Sequence, residues 1–419
     1  MTTSRGGYFE QFIERARARG ELVVQPRMGF GTLQQMRAGL ASVADLPCAA
    51  IGTITLDSYT RVGDYQSALQ CLNSAAPMNG FPIISHPVEA VRSMLAGLYG
   101  AQFPIQIRHG TAKPQNVFQR LAALGLDATE GGPVSYCMPY SRLPLAEAVS
   151  AWADSCRLLA DATEHAHIES FGGCLLGQLC PPSLLVAMTL LEALFFRQHG
   201  IRSVSLSYAQ GTSLEQDFGA LQALRELAAD YLDGAHWHVV VYSYMGVFPT
   251  TQHGARRLIG DSARLTQAAG CERLIVKTVA ESRQIPSVDD NLDALRMAAE
   301  AAAGELPTMG AGGAGYYEQT LFEARRLVET VLDLHANIGL ALIQAFARGL
   351  LDIPYCLHPD NPGRATTRID DRGALRWGNT GGLPLPRGSG GSLNGPGVSS
   401  SELFQMLHYT VNRYDQPLH

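Results

Sequence analysis

Between residues 22 and 277, short apolar runs rich in β-branched residues alternate with longer stretches whose apolar positions recur every three or four residues. That alternation constrains the fold more than any other feature. Strands separated by helices cannot pair as tight hairpins, so they pair in parallel and bury their sheet beneath the helices. The strand candidates are 22–25, 48–55, 81–85, 103–107, 166–171, 203–208, 238–244 and 273–277, with a fainter one at 127–130; the helical patterns are 88–98, 115–124, 145–162, 183–196, 214–232 and 255–269. So regular a succession favours a closed (β/α)8, TIM-type barrel over an open sheet. Nine candidates compete for its eight places, so one run lies outside the barrel or is not a strand. A barrel takes about 250 residues, which leaves an appendage in a chain of 419. The expected organisation is an arm over 1–20 with helical spacing up to Gly20, a barrel over 21–290 and a C-terminal extension over 291–419. The extension carries helices at 292–304 and 316–349 and a Pro/Gly-rich loop at about 379–398.

Charge and cysteine usage narrow the function classes. A net charge of −6, with no Lys/Arg run longer than a pair, provides no electrostatic footprint for nucleic acid or a membrane surface. The eight cysteines (48, 71, 137, 156, 174, 180, 271 and 356) never fall as Cys-x-x-Cys, and the N-terminus Met1-Thr2-Thr3-Ser4-Arg5 lacks an apolar signal region. A cytoplasmic protein with free thiols is expected. The most apolar helical stretch, 184–196, is interrupted by Glu192 and too short for a bilayer, so it reads as a buried barrel helix. Gly310-Ala311-Gly312-Gly313-Ala314-Gly315 satisfies G-x-G-x-x-G but follows no strand, and is read as a loop rather than a dinucleotide site.

An α/β barrel carries its chemistry where strands end and loops begin. Arg108 and His109 follow the apolar run 103–107, and Glu130 precedes the Gly131-Gly132 turn that leads to Tyr136 and Tyr140. Arg27 and Arg61 follow extended segments in the same way. A guanidinium is a permanent charge with a planar fork that matches a carboxylate, so three on one rim suit a small dianion. Glu130 can receive an ammonium group or take a proton, with a solvated loop carboxylate as the alternative. Tyr136 and Tyr140 either line the same cup or simply pack. Lys277 closes the run 274–276 with Glu281 four residues on, a pair suited to a polyhydroxylated ligand or to a local ion pair.

A different chemistry is offered by His165-Ala166-His167-Ile168-Glu169, which in a strand would place two imidazoles and a carboxylate on one face. Such a face is the raw material of a metal-dependent barrel hydrolase, although a barrel-lining strand with hydrogen-bonded histidines is the simpler account. A non-catalytic binding protein that keeps the barrel is a third possibility.

One ordered set of motifs carries a resemblance. Gln25-Pro26-Arg27, Asp57-Ser58-Tyr59-Thr60-Arg61, Asn79-Gly80-Phe81-Pro82, Arg108-His109-Gly110-Thr111, Glu130-Gly131-Gly132 through Tyr136 and Pro139-Tyr140, Pro181-Pro182-Ser183, Met245-Gly246-Val247-Phe248-Pro249, Val276-Lys277-Thr278 with Glu281, and Asp352-Ile353-Pro354 occur in succession from about residue 20 to 365. In this order they resemble the large (epsilon, or E) subunit of adenosylcobalamin-dependent glutamate mutase, or methylaspartate mutase. The resemblance implies an isomerase that interconverts L-glutamate and threo-3-methyl-L-aspartate by a radical carbon-skeleton rearrangement. It implies a homodimer of this chain within a heterotetramer, whose small (sigma, or S) subunit supplies the cobalt ligand from an Asp-x-His-x-x-Gly motif that this chain lacks. It also implies site roles. Arg27, Arg61 and Arg108 would grip the substrate carboxylates, with His109, Tyr136 and Tyr140 completing the pocket. Glu130 would meet the amino group and act as base. The cofactor set would be Gly29, Thr55, Arg61, Asn79, Pro139, Lys277 and Glu281, with Lys277 and Glu281 on the adenosyl ribose and Gly29, Thr55 and Pro139 near the corrin. The stretches 171–178 and 241–244 and the Gly/Ser-rich tract depart from the family pattern.

Overall fold

The computed structural model describes residues 7–74, 76–306, 312–386 and 398–416. Eight strands form the central sheet: β1 (Val23–Pro26), β2 (Gly52–Thr55), β3 (Ile105–Arg108), β4 (Ala128–Gly131), β5 (His167–Ser170), β6 (Ser203–Ala209), β7 (His236–Tyr242) and β8 (Arg273–Val276). They pair in parallel in the order β1-β8-β7-β6-β5-β4-β3-β2. A parallel bridge between Val24 and Ala50 closes the ring, with the Val24 amide donating to the Ala49 carbonyl at 2.9 Å. The expected (β/α)8 barrel is therefore the fold.

The surplus strand candidate is 81–85. Phe81 makes a single bridge to Leu56, and the chain then turns on itself, with Ile83 donating to the Phe81 carbonyl (2.9 Å) and Ser85 to that of Pro82 (3.0 Å). Pro82 has no N–H to offer a ladder, and beyond the Phe81 amide, which donates to the Thr55 carbonyl (2.9 Å), the segment makes no further bond to a barrel strand among the described residues. The faint run at 127–130 is instead the barrel strand β4, faint because Ala128-Thr129-Glu130-Gly131 holds no large apolar side chain.

Most helical patterns appear where expected, including Gln115–Leu124 and Leu145–Ala162. The single helix read at 316–349 is two, Gly312–Leu332 and Ile338–Arg348, divided where the Asn337 side chain accepts from the Leu340 amide at 2.9 Å and caps the second. Helices at Leu33–Ala44, Ser58–Val62, Tyr65–Asn73 and Ser400–Asp415 were not expected; the first buries only a narrow stripe through Met36, Leu40 and Val43. The helix Pro182–Gln198 is buried along almost all of its length and apolar around most of its circumference, as expected of a helix enclosed by its neighbours, with Glu192 as its one buried carboxylate. Among the described residues, no helix is long and apolar enough to cross a membrane.

Additions close both ends of the barrel. At the N-terminal end, the helix Tyr8–Ala18 inserts Phe9 against His167, with ring centroids 4.5 Å apart, and packs Phe12, Ile13 and Ala16 on Val23, Ala49, Ile51 and Ala128. At the opposite rim, the hairpin β9 (Thr366–Ile369) and β10 (Leu375–Asn379) and the helix Ser400–Asp415 pin the loops that follow β5, β6 and β7. Thr367 Oγ1 donates to the Leu179 carbonyl (2.7 Å), Thr212 Oγ1 to that of Gly373 (2.6 Å), and Asp415 accepts from the Thr250 and Thr251 amides at 2.9 and 3.0 Å. Of the glycine-rich motif read as a loop, Gly312–Gly315 opens a helix, while Gly310 and Ala311 lie outside the described residues; so do residues 387–397 of the Pro/Gly-rich tract.

Candidate active site

The rim chemistry starts from two adjacent strands. Arg108 is the last residue of β3, Glu130 lies one residue before the end of β4, and the parallel register that pairs Ile107 with Thr129 sets them side by side. Arg108 Nε donates to Glu130 Oε2 at 2.7 Å, with both side chains nearly fully buried. Directly after Glu130 the chain swings away at Gly131, whose φ of +134° is left to glycine and where a Cβ would lie 2.5 Å from Trp152. The turn brings Tyr136 back so that its hydroxyl donates to Glu130 Oε1, and Tyr242 at the end of β7 donates to Oε2 at 2.7 Å. Burial alone would raise the Glu130 pKa. The Arg108 charge and the donors from Arg108, Tyr136 and Tyr242 outweigh it and hold the carboxyl below its ordinary range.

Glu192, on the helix Pro182–Gln198, fastens the turn itself. Its Oε1 accepts from the Val134 and Ser135 amides at 3.0 and 2.8 Å, and its Oε2 from the Ser135 and Ser170 hydroxyls at 2.8 and 3.1 Å. A Cβ at residue 132 would lie 2.1 Å from the Glu192 carboxyl, which is why Gly132 stands there. Burial pushes the Glu192 pKa up to about 7 despite these donors. A raised carboxyl pKa costs the folded state stability as pH climbs from the ordinary carboxyl value through the raised one. Glutamine would satisfy the same partners, with its oxygen facing the two amides and its NH2 donating to the two hydroxyls. Glu192→Gln is therefore expected to match wild type near pH 5 and to be more stable by up to about 3 kcal/mol at pH 8, read by urea denaturation. A variant less stable than wild type at pH 8 would count against this account.

Arg61 corrects the expectation of three strand-end arginines. It lies on the short helix Ser58–Val62, which is capped by Asp57 accepting from the Tyr59 and Thr60 amides at 2.9 and 3.0 Å. From there Arg61 Nε donates to the Leu56 carbonyl at 3.1 Å, and among the described residues no carboxylate pairs with it. Burial foremost, with the nearby Arg108 and Arg27 charges, pulls its pKa below the ordinary arginine value, the signature of a cation awaiting a counter-charge. Arg27 follows β1 directly; its Nη1 meets Glu281 Oε1 at 3.1 Å, while its Nε is buried without a hydrogen-bond partner. His109 stacks on Trp152 (5.6 Å) and meets Tyr136 edge-on (5.1 Å). Its Nδ1 accepts from the Thr111 amide at 3.2 Å, its Nε2 is buried without a partner, and burial drives its pKa to about 3. It is thus a neutral imidazole with its proton on Nε2, buried beside the Glu130 backbone.

These groups surround one cavity of about 640 Å³, with Arg27, Thr55, Arg61, Arg108, His109, Glu130, Tyr136 and Tyr140 all on its wall. Tyr140 is 55% exposed at the mouth, with its ring 6.2 Å from that of Tyr136. Lys277 and Glu281 border the cavity through Arg27; Lys277 Nζ lies 3.8 Å from Glu281, and burial, then the Arg27 charge, lowers its pKa to about 8. Gly29 is pressed against β2, where a Cβ would lie 2.2 Å from the Thr55 carbonyl oxygen. Asn79 Oδ1 accepts from the Ser58 amide at 3.3 Å and so supports the helix that carries Arg61. Pro139 is half-buried beside Tyr140.

The structure does not bring together the proposed histidine face. His165 precedes β5 in a turn, half-exposed and 3.6 Å from Glu164, and only His167 and Glu169 point into the barrel. Both ring nitrogens of His167 meet serine hydroxyls, Ser203 at 2.8 Å and Ser205 at 3.1 Å. Alternation places 167 and 169 on one face, but 165 lies before the strand begins, so the alternation does not extend to it.

Several residues around the site carry no recognisable sequence motif. Tyr242 and Glu169 extend the network below Glu130, and Arg273 pairs with Glu169 in the barrel interior with both side chains fully buried. Charged residues within apolar strand runs, as in Arg273-Leu274-Ile275-Val276, were the available signal.

Comparison with known proteins adds the family context. Residues 5–389 match the family described as methylaspartate mutase E chain (MutE). A glutamate mutase epsilon subunit from Yersinia enterocolitica is 29% identical over 402 residues, covering 90% of this chain and 81% of that protein. One from Haloarcula marismortui is 30% identical over 390 residues, covering 90% and 79%. One from Fusobacterium nucleatum is 24% identical over 399 residues, covering 90% and 81%.

Proposed function

The chain belongs to the methylaspartate mutase E chain family, and we propose on that footing that it is the catalytic large subunit of a glutamate mutase, interconverting L-glutamate and threo-3-methyl-L-aspartate. The observation that carries the reading is the cavity wall. Arg27, Arg61 and Arg108 face one space beside a single buried carboxylate, Glu130, a charge pattern complementary to a dicarboxylate with an ammonium group between its anionic ends. The guanidinium forks hold the two carboxylates, Glu130 receives the ammonium and can take its proton, and Tyr136 fixes the Glu130 rotamer. His109, a neutral imidazole, completes the pocket wall beside Glu130. Holding both ends of the substrate keeps its pieces in register while the carbon skeleton rearranges.

The residues present fit adenosylcobalamin at the cavity mouth. Buried, unpartnered Arg27 Nε and Thr55 Oγ1 lie on the cavity wall, and the glycine at 29 lets the chain after β1 press against the Thr55 backbone beside them. Gly29, Thr55 and Pro139 would border the corrin, Arg61 and Asn79 would complete the cofactor set, and Lys277 with Glu281 would hold the ribose hydroxyls. When bound, the cofactor supplies the radical chemistry, while the protein contributes orientation, charge matching and exclusion of water. A separate small subunit would supply the cobalt ligand, with two copies of this chain in a heterotetramer. The eight free cysteines support a reducing, cytoplasmic setting.

The test is reconstitution. This chain, a small cobalamin-binding subunit, adenosylcobalamin and L-glutamate should produce threo-3-methyl-L-aspartate, with a cobalt–organic radical signal in the electron paramagnetic resonance spectrum. Absence of turnover in both directions would remove the reading.

A further inference from the structure

Resting on the reading of Glu130 as the group that meets the substrate ammonium, we propose that Tyr242 and Glu169 extend Glu130 into a two-carboxylate proton relay running down the barrel axis. Tyr242 ends β7, and its hydroxyl oxygen lies 2.7 Å from Glu130 Oε2 and within hydrogen-bond contact of Glu169 Oε1. A phenol has one proton. It can close both contacts only by donating to one carboxylate and accepting from the other in its acid form, so the geometry is that of the loaded relay, one proton beyond two ionised carboxylates; before loading, both carboxylates are ionised and the phenol closes one contact only. Both carboxylates and the phenol are buried, with Tyr242 at 1%, Glu130 at 1% and Glu169 at 0% exposure.

The surroundings suit the transfer. Glu130 faces Arg108 from β3 and Tyr136 from the turn after β4, while Glu169 faces Arg273 from β8, with Gln106 Nε2 donating to it at 3.1 Å. Tyr242 itself lies under the Arg108 guanidinium (5.4 Å from its ring centroid), and His109 and Cys174 are the other titratable groups nearby. Each carboxylate therefore has its own guanidinium, which lets either carry the charge when the other is neutral. A proton leaving the substrate ammonium binds Glu130. It then passes from Glu130 Oε2 to the Tyr242 oxygen while the phenol proton moves to Glu169 Oε1. One proton enters at the cavity and one comes to rest on Glu169, so Glu130 is again a carboxylate facing the substrate. The reverse transfer returns the proton before product leaves. Tyr242 and Glu169 act through Glu130 and touch no substrate; they are positioning residues.

Tyr242→Phe removes the link and leaves Arg108 and Tyr136 on Glu130. In the reconstituted enzyme its KM for glutamate should stay within about threefold of wild type, while kcat falls about tenfold or more and the acid limb of the kcat–pH profile shifts. A second readout needs only the chain itself. Infrared difference spectra between alkaline and acid pH should show a carboxylic-acid band, absent from Glu169→Gln, that in Tyr242→Phe forms at least about one pH unit lower. Should Glu169→Gln fail to fold for want of a partner for Arg273, the Tyr242→Phe spectrum decides alone. An unchanged spectrum, or unchanged kcat and pH profile in an active enzyme, overturns the relay. A shifted band in a chain without glutamate turnover keeps the relay and removes the glutamate mutase reading.

Discussion

Arg108→Lys is expected to lower kcat/KM for glutamate about 10²- to 10³-fold in the reconstituted enzyme, the loss expected when one member of a buried, hydrogen-bonded charge pair is truncated. Arg108 Nε is committed to Glu130 at 2.7 Å, and the guanidinium makes no other hydrogen bond among the described residues, so its terminal nitrogens remain for a ligand at the cavity wall. Burial disfavours the Arg108 charge, but the Glu130 carboxylate, with Tyr242 and Tyr136, raises its pKa well above the ordinary value, so the charge is permanent. A lysine keeps that charge but has one ammonium in place of a planar fork; it can serve Glu130 or a substrate carboxylate, not both in their present geometry. Most of the loss should fall on KM, because the grip on the substrate is lost first. Steady-state kinetics with an unchanged near-ultraviolet dichroism spectrum would establish this, and a variant within threefold of wild type would rule Arg108 out as a substrate ligand.

Glu130→Gln should produce the second large effect, a fall in kcat of about 10²- to 10⁴-fold, as expected when a group that moves a proton is neutralised in place. Glutamine fills the same volume, yet every partner of Glu130 points a donor at it: Tyr136 at Oε1, and Arg108 and Tyr242 at Oε2. Whichever position the amide nitrogen takes, it faces a donor, and the buried Arg108 loses its counter-ion. Stability should fall by about 3 kcal/mol at neutral pH. The sign of the pH dependence follows from the lowered Glu130 pKa. Its contribution is complete above the ordinary carboxylate value and disappears as pH falls through the lowered one, so the deficit of the variant should shrink in acid. Urea denaturation across that range, beside kcat, separates the stability effect from the catalytic one.

The parts of this protein that were legible in the sequence are those whose cause is local. A parallel strand covered by helices is apolar on that face, and its covering helix shows a stripe, so seven of the eight strands stand out as runs even where the barrel interior holds Gln106, Glu169 or Arg273, and β4, Ala128-Thr129-Glu130-Gly131, only faintly. Arg108 and Glu130 were legible for the same reason, because a charged residue at the end of such a run has few places to go except the rim. Arg61 was legible as a charge but not as a helix residue. The Asp57 cap that starts its helix is one carboxylate accepting two amides, and the same Asp-Ser pair serves equally well in a turn. Residues 81–85 have strand composition, and only the absence of a free barrel edge beside them, together with Pro82, keeps them out of the sheet.

Taken by itself, the sequence determined the barrel, the family and the set of charges assigned to the rim, since periodicity and motif order are properties of neighbours along the chain. Only the tertiary structure decided which of those charges meet. Closure of β1 against the start of β2 brings Arg27 to the cavity shared with Arg61, Arg108 and Glu130, sets Tyr242 on Glu130 across 112 positions and buries Arg273 against Glu169 across 104. The physical reason is that an ion pair or a shared hydrogen bond is worth little in water and much in a closed, dry interior, and no stretch of sequence records which residues that interior will enclose.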